Sequence, residues 1–280
     1  MSRAVVEELF PQLQPRHVRA IEDGWDSLVL DLDGDWIVRI PRRAQVRETL
    51  VTEIRLLPEL GPTLPVPTPR FEQICGDDRA VAYRKVLGDP VDVSRTVLGE
   101  QLGRVLAALH AFPVERARAL GVPSHDRTWR ERYEAFVTEV LARAGPLLGG
   151  DRPRAEATVA EYFGDDANFG FTPRLLHADI GPEHVLSAGD RLTGVIDWGD
   201  ARIGDPALDL AWALHGTPVP FGEAVLAAYA SDDSLLVDRA RFFHRLGPWY
   251  ELHYGLFFDR PEFVQSGLAG VRSRLPPALR

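Results

Sequence analysis

The stretch from Leu175 to Ala211, LLHADIGPEHVLSAGDRLTGVIDWGDARIGDPALDLA, decides the reading of this chain. It alternates short apolar runs with polar turns. Leu175-Leu176 leads into the segment His177 to His184, then Val185-Leu186, a Gly189-Asp190 turn, and the apolar strand Leu192 to Ile196. Carboxylates stand where apolar runs end, at Asp179 and Asp197, and His184 follows Asp179 on the first loop. Loops carried on a rigid scaffold are where chemistry concentrates. Taken singly, an Asp-x-Gly mostly marks a turn and one His says little, so the ordered set carries the reading.

The residue types suit one kind of chemistry. A carboxylate on a fixed loop can orient an attacking hydroxyl and take its proton, a role that fits Asp179. Asp197 offers a hard oxygen ligand to a Mg²⁺ ion bridging phosphate oxygens. His184 offers nitrogen where an amide oxygen is usual, and imidazole is a less typical Mg²⁺ ligand. His177-x-Asp179, His184 and Asp197-Trp198-Gly199 resemble the H-R-D-L-x-x-x-N and D-F-G motifs of kinases, with the same Asp-to-Asn separation and one hairpin before the second motif. The whole segment resembles the Brenner-type motif of the aminoglycoside phosphotransferase family, antibiotic kinases related in fold to protein kinases. DRLTGVIDWGDARIGDPALDL is especially similar to the aminoglycoside 2″-phosphotransferases. Those enzymes and the macrolide phosphotransferases tend to have His at the position of His184. More loosely, Glu22 to Ser27 resembles the family's nucleotide-covering loop, Trp36 to Arg43 its third strand, and Pro248 to Leu256 a C-terminal helix. In this family the GDPxxDL segment braces the catalytic loop, so Asp205 and Asp209 are read as structural.

The resemblance implies an α+β, bilobal, protein-kinase-like fold. Residues 1–86 form a nucleotide-binding lobe with a five-stranded antiparallel sheet and one helix. Residues 87–280 form a mostly helical lobe with the hinge, the catalytic loop and the acceptor-binding part. The residues themselves support strands at Val18–Ile21, Leu28–Leu32, Trp36–Ile40, Arg70–Ile74 and Ala80–Val86, with a helix from Gln45 to Leu57 before a Pro-rich run. Kinase-type sites place a Lys on the third strand, paired with a Glu on the following helix. The only lysine, Lys85, falls in the expected hinge, and Arg39 takes the strand position instead. Its expected partner is Glu53, with Glu48 the runner-up. Arginine grips phosphate with a fork of donors but is not equivalent to lysine; macrolide phosphotransferases resemble this chain in having Arg-Ile-Pro-Arg-Arg there. Ser27 is a candidate phosphate contact, against a plain hairpin turn. Backbone groups from Arg84 to Val86 are expected to meet the base, which leaves ATP or GTP open as donor.

Bulk properties bound the partners. The 280 residues are 45% hydrophobic and 26% charged, ordinary values for a globular chain. The single cysteine, Cys75, excludes an internal disulfide framework and fits a reducing cytosol. No apolar run approaches the roughly 20 residues that cross a bilayer, so a cytoplasmic protein without membrane association is expected. The net charge of −9 argues against nucleic acid and is compatible with a polycationic small molecule. An aminoglycoside carries several ammonium groups, so Asp200, Glu183, Glu251 and Asp259 are candidate acceptor contacts, with Trp249 and Tyr250 as stacking surfaces. The alternative is that the aromatic residues pack the last helices together. Helical spacing predicts helices at 94–111, 128–144, 206–215, 222–230, 235–243, 249–258 and 262–275. The expected function is a Mg²⁺-dependent transfer from a nucleoside triphosphate to a hydroxyl of an aminoglycoside. A macrolide kinase is one alternative; a metabolic kinase of choline, homoserine or fructosamine-like compounds is another, because fold does not settle substrate. From a different class, Arg39 and His184 suggest a noncatalytic pseudokinase.

Overall fold

The computed structural model describes residues 2–21, 26–124 and 129–277. Helix α1 (Ser2–Leu9) precedes strands β1 (Val18–Ile21), β2 (Ser27–Leu32) and β3 (Trp36–Pro41), helix α2 (Ala44–Leu60), and strands β4 (Phe71–Ile74) and β5 (Val81–Arg84). The five strands form one antiparallel sheet in the order β1-β2-β3-β5-β4, leaving β4 at an edge. Period-two alternation along β3 assigns its faces. Val38 joins Leu30, Leu32 and Ala82 on the outer face, under Val6 and Phe10 from the α1 end of the chain. Ile37 points the other way, with Val81 and Tyr83, toward Leu50 of α2. Arg39 shares that inner face, which is why a charged residue on a strand ends up buried.

Strand β6 (Asp89–Pro90) follows, then α3 (Thr96–His110), α4 (Val114–Ala119), α5 (Trp129–Leu148) and α6 (Arg152–Gly164). Strand β7 (Arg174–Leu176), the hairpin β8 (Val185–Ala188) and β9 (Arg191–Val195), and β10 (Arg202–Gly204) come next. Helices α7 (Ala207–His215), α8 (Val219–Tyr229), α9 (Leu236–Phe257) and α10 (Pro261–Arg274) complete the chain. The expected five-stranded sheet and helical remainder are both present. Helices α1, α4 and α6 were not among the expectations. Among the described residues no helix is long and apolar enough to cross a membrane.

One boundary needs correction. The expected helices 235–243 and 249–258 are a single helix, α9, with Pro248 inside it. Proline has no N–H and blocks the carbonyl four residues earlier, which normally breaks a helix. Here that carbonyl belongs to His244, and the Arg274 guanidinium donates to it at 2.5 Å. A side chain from α10 thus satisfies the group that proline strands, and the helix continues. Trp249 then falls on the same buried stripe as Phe242, Leu246 and Leu252, at 4% exposure. It packs the core and presents no open stacking face, a correction to its reading as an acceptor contact.

Helices α3 and α8 meet at two glycines. A Cβ on Gly99 would lie 2.7 Å from the Phe221 carbonyl oxygen, and one on Gly103 2.3 Å from that of Val225. Gly103→Ala therefore forces the helices apart and is expected to cost about 1–3 kcal/mol, read as a lower urea midpoint with an unchanged slope. A second expectation concerns acid. Burial, then the charges of Arg274, His215 and Arg245, push His244 down to about 4. The unfolded chain takes up a proton near pH 6.5 that the folded ring refuses. Stability is therefore full above that value and falls as the pH drops toward 4. The melting temperature of His244→Asn, scanned over the same range, is expected to fall less steeply than that of the parent.

Candidate active site

The site is built on two loops that leave the short strands side by side. Strand β7 pairs with β10, and the β8–β9 hairpin stands beside them. The loop 177–184 therefore starts next to the place where 196–201 ends. Asp209, in the first turn of α7, fixes the first loop. Its fully buried carboxylate accepts the backbone N–H groups of His177 at 2.9 Å and Ala178 at 2.6 Å. His110 of α3 lies 3.1 Å from the same carboxylate through Nε2, and its Nδ1 is 2.8 Å from the Tyr229 hydroxyl. Burial works against the charge of Asp209, but the His110 ring and the backbone donors outweigh it and hold its pKa below the ordinary range. Asp205 does something else: it receives Arg239 of α9 at 2.7 Å and 3.1 Å and ties that helix to the start of α7.

His177 joins the two loops. Its Nδ1 accepts the Asp179 N–H at 3.2 Å, so Nε2 must carry the proton that it donates to the Ile196 carbonyl at 3.0 Å. The ring is fully buried, and burial lowers its pKa and keeps it neutral. Trp198, at 1% exposure, lies edge-on to it at 4.6 Å and donates its indole N–H to the Val195 carbonyl at 3.0 Å. Ala178 and Asp197 both have left-handed backbone, with φ of 67° and 63°. Such conformations cost on the order of 1–3 kcal/mol each and persist where surrounding bonds dictate them. Here the bonds of His177 and Asp209 do so, and they turn Asp179 and Asp197 toward each other.

His184 stands between the two acids. Its Nδ1 donates to the Asp179 carbonyl at 2.7 Å, which leaves the Nε2 lone pair facing Asp197, 3.8 Å from Oδ2. Both carboxylates are half exposed. Partial desolvation, then the fields of Asp200, Asp197 and Glu183, push Asp179 up to about 6 against the pull of His184. From the sheet, Arg39 reaches the same place. It makes a two-pronged contact with Glu53 at 2.8 Å and 3.1 Å and lies 3.6 Å from Asp197. Burial alone would lower the Arg39 pKa, but Glu53 outweighs it and the guanidinium stays charged. Burial likewise pushes Glu53 up while Arg39 pulls it down. Glu53, Arg39, Asp197, His184 and Asp179 are thus a continuous chain of contacts across the cleft.

The remaining candidates scatter. Ser27 begins β2 and is buried, while residues 22–25 of its loop lie outside those described. The side chain of Lys85 turns back to Asp31 at 2.8 Å, and that of Arg84 covers Trp36 at 4.4 Å. Val86 packs where a Cβ on Gly194 of β9 would meet it at 2.4 Å. Asp200 is engaged by Arg202 at 3.1 Å, a cation on β10 that the sequence did not single out. Tyr250 stacks on Phe136 at 4.3 Å and remains 47% exposed, next to Tyr133. Glu251 accepts the Ser266 hydroxyl at 2.5 Å and so faces α10.

Residues 17–243 match the phosphotransferase enzyme family, APH. The structure of the GDP and kanamycin complex of an APH(2″) enzyme superimposes with a TM-score of 0.88, at 27% identity over 97% of each chain. A macrolide 2′-phosphotransferase from Brachybacterium faecium superimposes with a TM-score of 0.77, at 28% identity, covering 100% of this chain and 99% of that one. Among curated proteins, viomycin phosphotransferase from Streptomyces vinaceus is 37% identical over 102 residues, 35% of this chain and 33% of that protein. The chain thus covers about a third of the length of the first curated relatives it matches.

The buried pair sets an expectation independent of activity. Removing one partner leaves a charge without its counterion, which costs about 3 kcal/mol in such settings. Glu53→Ala is expected to lower stability by that order in urea titration, and Glu48→Ala, on the exposed side of α2, to leave it within about 0.5 kcal/mol.

Proposed function

Because the chain belongs to the phosphotransferase enzyme family, we propose that it transfers the γ-phosphoryl group of a nucleoside triphosphate, ATP or GTP, to a hydroxyl of an aminoglycoside-type antibiotic. The observation that carries this reading is the placement of Asp179. Its carboxylate is half exposed on a loop fixed from below, and His184 links it to the acid Asp197, which the buried cation Arg39 meets. The acceptor oxygen attacks the γ-phosphorus and passes its proton to Asp179; the bond from phosphorus to the bridging oxygen breaks and the nucleoside diphosphate leaves. The upward shift of Asp179 brings it nearer the range useful to a base. Arg39, held straight by Glu53, meets the phosphate oxygens, with Ser27 beside it and the backbone of Arg84 to Val86 receiving the base. The division between nucleotide-binding and acceptor-binding parts is placed at residues 86 and 87.

The donor set fits a magnesium ion. Asp197 gives oxygen, and His184 gives the Nε2 lone pair that its bond to the Asp179 carbonyl fixes in place. Two protein ligands are usual for Mg²⁺, with triphosphate oxygens and water completing the shell. Bound there, it would neutralise charge on the transferring group. Asp200 and Glu183, whose fields reach Asp179, give the acceptor side its negative character. A second reading, a macrolide acceptor, is favoured by different observations. Arg202 offsets Asp200, and Tyr250, Phe136, His253 and Phe257 form an aromatic ladder beside them that is partly open to solvent.

Transfer from ATP and GTP to a panel of aminoglycosides and macrolides separates these readings. Turnover of one drug class is expected, and Asp179→Ala is expected to reduce it by about 10²- to 10⁴-fold while nucleotide affinity stays within about twofold. Undiminished turnover in the variant would remove Asp179 from the mechanism. Nucleotide binding without transfer to any drug would point to a metabolic acceptor.

A further inference from the structure

Away from the transfer site, the structure holds a cavity of about 510 Å³ between the outer side of α2 and the edge strand β4. Ile54, Leu57, Thr68, Phe71 and Ile74 line it, together with Arg70 at its rim. None of these residues belongs to the transfer site, and the volume is in the range of small-molecule pockets, roughly 300–1,000 Å³. Two features give it polarity. Arg70 is the one charged group in the lining, and among the described residues it has no ion-pair partner. Pro58, also in the lining, has no N–H, so the Ile54 carbonyl lacks the donor that a helix would supply four residues on. The end of α2 lies close against Thr68, since a Cβ on Gly61 would be 2.9 Å from Thr68 Oγ1.

We propose that this cavity is a second ligand site for a small ring compound bearing one anionic group, and that its occupancy is coupled to nucleotide binding. The ring fills the apolar floor and the anion meets Arg70. Coupling has two routes. Ile54 is the neighbour of Glu53, so a ligand that displaces α2 moves the carboxylate that holds Arg39. Phe71 packs on Tyr83 with ring centroids 5.4 Å apart, and Tyr83 lies on the face of the sheet that carries Arg39, two residues along β5 from its partner Val81. Both routes end on the same guanidinium. Only this coupling rests on the proposed function; the site itself does not.

The test uses 8-anilinonaphthalene-1-sulfonate, an apolar ring system with one sulfonate, titrated by fluorescence into the full chain and two variants. Arg70→Glu reverses the charge at the rim, and Ile74→Trp fills the cavity from a residue that is 44% exposed. Saturable binding at one site is expected, weakened about tenfold in each variant (about 1.4 kcal/mol), with their melting temperatures close to the parent's. Magnesium nucleotide is expected to change the dye affinity at least about threefold in the parent, and by linkage the dye changes nucleotide affinity equally. Absence of saturable binding overturns the site, as does equal affinity in parent and variants. Displacement of dye by nucleotide with the variants unaffected also overturns it, because the dye then occupies the transfer site. Nucleotide that binds in its own titration without altering dye affinity overturns the coupling. A chain that binds no nucleotide at all defeats the proposed function, while the two variants still decide the cavity.

Discussion

The geometry of the cleft rests on one buried carboxylate. Asp209 has no contact with solvent, yet stays ionised because two backbone N–H groups and the His110 ring share its charge. Those N–H groups belong to His177 and Ala178, so the bonds that stabilise the anion also dictate the left-handed turn that aims Asp179. His177 extends the constraint to the second loop, since its one available tautomer binds Asp179 on one side and Ile196 on the other. A buried charge that touches neither acid therefore sets the spacing between both.

The opposite wall follows a different rule. Arg39 is buried by the alternation of a β-strand, and its charge is tolerated because Glu53 meets it with two parallel contacts from α2. Sheet, helix and second loop are linked at this point, for Asp197 lies within 3.6 Å of the same guanidinium. An ammonium could not make the forked contact with Glu53 and still reach Asp197 with a fixed planar group. The arginine thus alters how rigidly the cation beside Asp197 is held, while its charge is the same as that of a lysine.

The fold and the cleft differ in how far sequence reveals them. Alternation placed Arg39 on the third strand, and position on the next helix identified Glu53 over Glu48, because such patterns are local; that Arg39 is buried was not legible. The grouping of Asp179, His184 and Asp197 was also legible, since the two acids end apolar runs and His184 follows Asp179 on the same loop. What escaped was non-local. The continuity of α9 through Pro248 depends on a guanidinium thirty residues after the carbonyl it satisfies, and no window on the helix contains it. Reading two helices there left Trp249 free to face a substrate, whereas one helix commits it to the core. The part of His177 was hidden for the same reason, as its partner carbonyl is nineteen residues away. Helix α6 escaped because only Ala155, Tyr162 and Phe163 of its residues are buried, too few to produce a clear stripe.

The lone lysine has a practical meaning for chemical labelling. Lys85 is one-third exposed, and its amine is engaged by Asp31, which pairs across the sheet with Ile37, two residues before Arg39. The cation that faces Asp197 is a guanidinium, which acylating and sulfonylating reagents do not modify. Amine-directed reactive nucleotides, a usual means of inactivating enzymes with a lysine on the third strand, have no amine to meet at position 39. Dicarbonyl reagents, which condense with guanidinium groups, are the matching chemistry, and protection by bound nucleotide would report on Arg39.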